Sequence, residues 1–105
     1  MSGRNQPRRA ARVDSNQSQI VVWLKEAGAH VVPIGGTWDL FVGLFGRWDL
    51  VEVKQPDGTV KQSQFLDAIQ IVSKGLPPPI IGHTAQDVIQ EMKRRAKEMG
   101  QKEKV

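Results

Sequence analysis

The sequence predicts an α/β fold, a mixed sheet of about four strands flanked by helices, in the order helix, three strands, helix, strand, helix. Three observations predict it. Apolar residues recur at helical spacing around Ile20, Ile69 and Val88, while residues 29–55 are β-branched and apolar, broken at Gly35-Gly36 and Phe45-Gly46. A proline run then introduces a short apolar segment, Ile80-Ile81-Gly82. At 105 residues, with 39% hydrophobic and 25% charged, the chain suits one small domain with a single core and no internal repeat.

The first helix is capped by Asp14 or Ser15, carries Ile20, Leu24 and Ala27 on one face, and closes at Gly28. Ala29 to Ile34 is the first strand. After Gly35-Gly36 the second runs from Trp38 to Gly43 and the third from Arg47 to Gln55, where Pro56-Asp57-Gly58 turns the chain. The second helix, from about Lys61 to Lys74, is expected to turn Phe65, Leu66, Ile69 and Val72 into the core and to stop at Gly75. Leu76 to Pro79 cannot be helical and leads into the short strand 80–82. Thr84 and Asp87 form a capping box for a last helix with Val88, Ile89, Met92 and Ala96 inward, which continues into a basic tail.

The turn at Phe45-Gly46 fixes the register of the hairpin. Leu44 stands opposite Arg47, Gly43 opposite Trp48, Phe41 opposite Leu50 and Asp39 opposite Glu52. Opposed Cβ atoms lie roughly 4.5–5.5 Å apart, so two facing carboxylates repel and need a positive charge to offset them. Lys54, two residues beyond Glu52, shares their face, and a divalent cation would supply more; Val51 and Val53 point to the core. Two carboxylates and a lysine on one sheet face suit metal-dependent cleavage of a phosphodiester. Trp48 falls on the Glu52 face, where it walls this site or packs on the first helix, and Asp49 reads as a solvated strand end. Trp23, Trp38 and Trp48 are able to stack on bases, though core or dimer packing is the commoner use of a strand tryptophan. His30 and His83 are isolated in sequence and are not expected to be catalytic.

Charge is uneven. Arg4, Arg8, Arg9 and Arg12 make residues 1–12 positive, and Lys93, Arg94, Arg95, Lys97, Lys102 and Lys104 outweigh two acids in residues 93–105, while the net charge is only +4. An acidic centre between basic ends suits a cation-holding site with arms for a polyanion. With no cysteine, disulfides and thiolate zinc sites are excluded. A basic N-terminal segment without an apolar stretch behind it is not a secretory signal, and no run approaches a membrane span, so the expected location is cytoplasmic.

These residues and their order resemble the PD-(D/E)XK nuclease superfamily, and within it the small phage- and bacterial-type VRR-NUC nucleases. The resemblance covers roughly residues 12–90: Arg12 to Gln17 with Ile20, Val21 and Leu24 as the opening helix, Asp39-Leu40 as the aspartate strand, Glu52-Val53-Lys54 as the Glu-x-Lys strand, and Gln64 on the next helix. It departs at Trp38, where the pattern usually has proline. It implies a restriction-endonuclease-like αβββαβ core with an extra C-terminal helix: a basic arm (1–13), a nuclease domain (14–92) and a basic helix end and tail (93–105). It further implies Asp39, Glu52, Lys54 and Gln64 as catalytic residues, with Asp39, Glu52 and the Val53 backbone carbonyl as metal ligands. Gln17 stands where relatives often offer a glutamate and is a further candidate ligand. Hard oxygen donors point to Mg²⁺ or Mn²⁺. DNA contacts fall to Arg8, Arg9, Arg12, Lys93, Arg94, Arg95 and Lys97, and the expected activity is an endonuclease selective for branched or junction DNA, working as a homodimer. The rivals are a non-catalytic nucleic-acid-binding module on the same fold and an assembly factor.

Overall fold

The computed structural model of the chain describes residues 15–104, with side-chain surroundings for 17–100. The arm 1–13, with Arg8, Arg9 and Arg12, lies outside the described residues. The elements follow the expected order: α1 (Ser15–Glu26), β1 (His30–Pro33), β2 (Leu40–Leu44), β3 (Arg47–Val53), α2 (Gln62–Ser73), β4 (Ile80–Gly82) and α3 (Ala85–Lys104).

The four strands form one mixed sheet in the order β1-β2-β3-β4, with β1, β2 and β3 antiparallel and β4 parallel to β3. A parallel neighbour requires a crossover, which α2 and the proline run provide. The hairpin register is the one that the sequence dictates, with Leu44 opposite Arg47, Gly43 opposite Trp48 and Phe41 opposite Leu50. Phe45 and Gly46 both take positive φ, 58° and 77°, as a two-residue type I′ turn demands.

Alternation along β2 and β3 separates two faces. Leu40, Val42, Val51 and Val53 point to one side and join Ile20 and Leu24 of α1, Val31 of β1, Ile80 of β4, and Ala85, Val88 and Met92 of α3 in a single core. Both α1 and α3 therefore cover this face, and α3 packs against β4, β3 and α1. At the α3 start, Asp87 N–H donates to Thr84 Oγ1 (3.0 Å) while Asp87 Oδ2 accepts from Thr84 N–H (3.2 Å), so the capping box closes with aspartate in the glutamate position.

Three expectations are corrected. Ala27, assigned to the inner face of α1, is exposed. Phe65, Leu66, Ile69 and Val72 of α2 do not enter the core; they are 60%, 54%, 48% and 51% exposed, and Gln64 is the buried residue of this helix. Helical periodicity defines a stripe but not which way it turns, and here polar contacts decide the orientation. Trp38 Nε1–H donates to Asp67 Oδ2 at 2.7 Å, and Gln64 Nε2 donates to the Thr37 carbonyl at 3.0 Å, holding the polar side of α2 to the β2 approach.

Asp49 is the third. It is no solvated strand end but 2% exposed on the core face, where Oδ1 and Oδ2 accept from Arg47 (2.9 and 2.8 Å) and Oδ1 also from Arg95 (2.9 Å). Arg95 reaches on to Glu91 and to the Pro78 carbonyl, so one carboxylate links β3, α3 and the proline run.

Candidate functional site

The other sheet face carries Asp39, Phe41 and Gly43 from β2 and its approach, Trp48, Leu50 and Glu52 from β3, and Lys54 just beyond it. Continuing the ladder by one pair past Leu40 and Val51 sets Asp39 opposite Glu52. A hydrogen bond fixes that junction: Val53 N–H donates to Asp39 Oδ2 at 2.8 Å. The Asp39 carbonyl in turn accepts from Ile34 N–H at 3.0 Å. The aspartate is thus tied through its side chain to the middle residue of Glu52-Val53-Lys54.

Glu52 is 6% exposed, and its Oε1 is buried without a hydrogen-bond partner. Its Oε2 meets Lys54 Nζ at 3.3 Å, in surroundings that leave the lysine side chain 13% exposed. Burial raises the Glu52 pKa, the neighbouring Gln64 amide and Lys54 work against that rise, and the Asp39 charge adds to it. Lys54 is held by its backbone too. Its N–H donates to the Gly82 carbonyl at 3.0 Å, and its carbonyl accepts from His83 Nδ1 at 2.8 Å. A carbonyl only accepts, so Nδ1 carries the proton.

Gln64 is 4% exposed. Its Oε1 accepts from Lys61 N–H (3.1 Å), its Nε2 donates to the Thr37 carbonyl, and the amide lies against the Glu52 carboxylate. The two structural contacts make it a residue that positions Glu52.

Asp39, Glu52, Lys54 and Gln64 are therefore brought together, with Val53 between two of them. Gln17 is half-buried near the start of α1, whose Ile20 and Leu24 pack on the face of Val51 and Val53. Among the described residues no group of three or more histidine or acidic side chains is poised around a common metal position. A metal here would rest on two carboxylates and backbone oxygen.

Of the basic residues assigned to nucleic acid, Lys93 and Lys97 are exposed on α3. Arg94 is exposed but paired with Glu91 and Glu98, which raises its pKa. Arg95 is committed to Asp49 and Glu91, with 11% of its side chain exposed, so it belongs to the fold and not to a contact surface.

The sequence reading missed Thr37, Lys61, Asp67 and His83 as supports of the site. Their contributions come from backbone groups or from partners 27 to 29 residues distant, which no local pattern marks. No helix among the described residues is long and apolar enough to cross a membrane. Comparison of the chain with protein-family models, with curated proteins and with solved structures finds no match.

Proposed function

We propose that the chain is a metal-dependent DNA endonuclease on the restriction-endonuclease-like fold that its motifs resemble. The observation that carries this reading is Glu52 Oε1, a buried carboxylate oxygen with no donor, next to Asp39 on a face where Lys54 is the near cation. A desolvated, unpaired anionic oxygen destabilises a fold unless something charged completes its surroundings. The donors fit a hard divalent cation, Mg²⁺ or Mn²⁺, held by Asp39, Glu52 and the Val53 carbonyl.

When bound, such an ion supplies Lewis-acid activation of water and neutralises charge on a phosphodiester. The protein groups do the rest. Lys54 donates to the attacking water or to a phosphate oxygen and stabilises the charge that builds there. Val53 N–H keeps Asp39 turned to the site, and Gln64 keeps Glu52 in place. Lys93 and Lys97 are exposed on α3, across the sheet from Asp39 and Glu52, and contacts from them to the phosphate backbone would hold DNA to the molecule without reading bases. Selection then rests on DNA shape, branched or junction DNA being the proposed substrate. A homodimer supplies the paired cuts that a symmetric junction requires. The proposed setting is the cytoplasm of a bacterial or phage-infected cell.

The test is cleavage of a labelled four-way junction and a matched linear duplex in Mg²⁺, Mn²⁺ or EDTA. Cutting with either metal, none in EDTA and a preference for the junction support the proposal. DNA binding without cutting in any metal favours the non-catalytic module.

A further inference from the structure

We propose that Trp48, with Phe41 and His30, is a stacking platform for an unpaired nucleobase on the strand that passes the Asp39 and Glu52 pair. The inference rests on the reading that the chain acts on nucleic acid, but not on the carboxylates being catalytic.

The indole is stacked on Phe41, with centroids 4.7 Å apart and planes 15° from parallel, and meets the His30 ring edge-on at 5.8 Å. It lies close against Gly43, where a Cβ would come within 2.9 Å of the ring, so glycine opposite Trp48 is what lets the ring rest on the strand. Contacts with Gly43, Phe41 and His30 limit the motion of the indole, yet 49% of Trp48 remains exposed. Two of the uses expected of it from sequence do not apply: α1 is on the opposite face, and the ring is not in the core.

Position names the occupant. Trp48 and Glu52 share a face of β3, and four residues of strand separate them by about 13 Å. That is roughly four nucleotides of a stacked strand at its spacing of about 3.4 Å, and fewer of an unstacked one. A π-face accepts any base, which agrees with a chain that carries no base-reading module. The basic ends of the chain, with a net charge of +4 and a pI near 9.8, favour a polyanion over a neutral or basic protein surface. The bound strand is therefore one with splayed bases, at a flap, a junction or a single-stranded end.

The experiment is binding of a short labelled oligothymidylate to the full chain in EDTA, where no metal-dependent cutting occurs. Trp48→Ala is expected to weaken binding roughly five- to hundredfold, the range of one lost base stack. Trp48→Phe keeps most of the affinity, and Gly43→Ala, which lifts the ring, loses part of it. A Trp23→Phe protein leaves Trp48 as its exposed indole, Trp38 being buried, and oligothymidylate should quench its emission; this readout does not depend on a Trp48 variant folding. Equal binding by wild type and Trp48→Ala overturns the platform, as does the absence of quenching. A Trp48→Ala protein that loses self-association but keeps oligothymidylate affinity overturns it in favour of contact with a second copy. Duplex cutting with no single-strand binding defeats the platform alone, whereas single-strand binding with no cutting in any metal defeats the nuclease reading alone.

Discussion

The backbone amide of Val53 donates a 2.8 Å hydrogen bond to Oδ2 of Asp39, 14 residues earlier in the chain. One contact thereby sets the aspartate against the Glu52-Val53-Lys54 strand, and it exists because the Phe45-Gly46 turn sets a register in which Asp39 and Glu52 oppose each other. The carboxylate pair is a consequence of that turn.

Metal should stabilise the protein through Glu52. A specifically bound ion raises stability by about RT ln(1 + [L]/Kd), roughly 2.7 kcal/mol at a hundredfold excess over Kd. Thermal unfolding with rising Mn²⁺ is expected to show this shift in wild type and to lose it in Glu52→Gln. Without metal the variant should be at least as stable as wild type. Burial raises the Glu52 pKa, so its contribution is full below the unfolded value of 4.5 and declines as pH rises through the folded one, a decline that glutamine does not share.

Asp49 holds two arginines whose side chains are only 9% and 11% exposed. Asp49→Ala leaves Arg47 without its carboxylate and Arg95 with Glu91 alone, and should cost on the order of 3 kcal/mol, read from urea unfolding. A loss within about 0.5 kcal/mol would mean that the network is not built as described.

Gly82 sits under α3, where an added Cβ would come within 2.7 Å of the fully buried Val88. Gly82→Ala should therefore destabilise by roughly 1–3 kcal/mol through overpacking. Val88→Ala in the same background should recover part of this loss.

Acid should weaken the α3 anchor. Hydrogen bonds from Arg94, and then from Arg95, hold the Glu91 carboxyl down at about 2 against an ordinary 4.5. A depressed acid contributes stability above its unfolded pKa and loses it as pH falls toward the folded value, so the window is about pH 4.5 down to 2. The stability of Glu91→Gln, followed by denaturant midpoint against pH, should slope less than wild type across this window.

Ile69 separates the two possible orientations of α2. At 48% exposure, Ile69→Ser should change stability by no more than about 0.5 kcal/mol, whereas a core isoleucine would lose several.

How much of this was legible in sequence varies with the range of the cause. The hairpin register, the capping box at Thr84 and Asp87 and the meeting of Asp39, Glu52, Lys54 and Gln64 follow from turn chemistry, strand alternation and motif spacing. The outward turn of Phe65 and Ile69 does not, because a helical stripe has the same period whether it faces core or solvent, and the deciding contact joins Trp38 to Asp67 across 29 residues. Asp49 could be placed on the core face by alternation, but its burial depends on Arg95, 46 residues on. Trp48 could be placed on the Glu52 face; that its ring lies open over Gly43 is a matter of packing.

The central claim is that Lys54 acts in metal-dependent phosphodiester cleavage beside Asp39 and Glu52. The most direct test compares wild type with Lys54→Ala on a labelled four-way junction in Mn²⁺, with Mn²⁺-induced thermal stabilisation followed in the same samples. The account predicts that the variant keeps the stabilisation and loses cleavage by roughly a hundredfold or more. Cleavage by Lys54→Ala at the wild-type rate, or none by wild type in any metal, would contradict it.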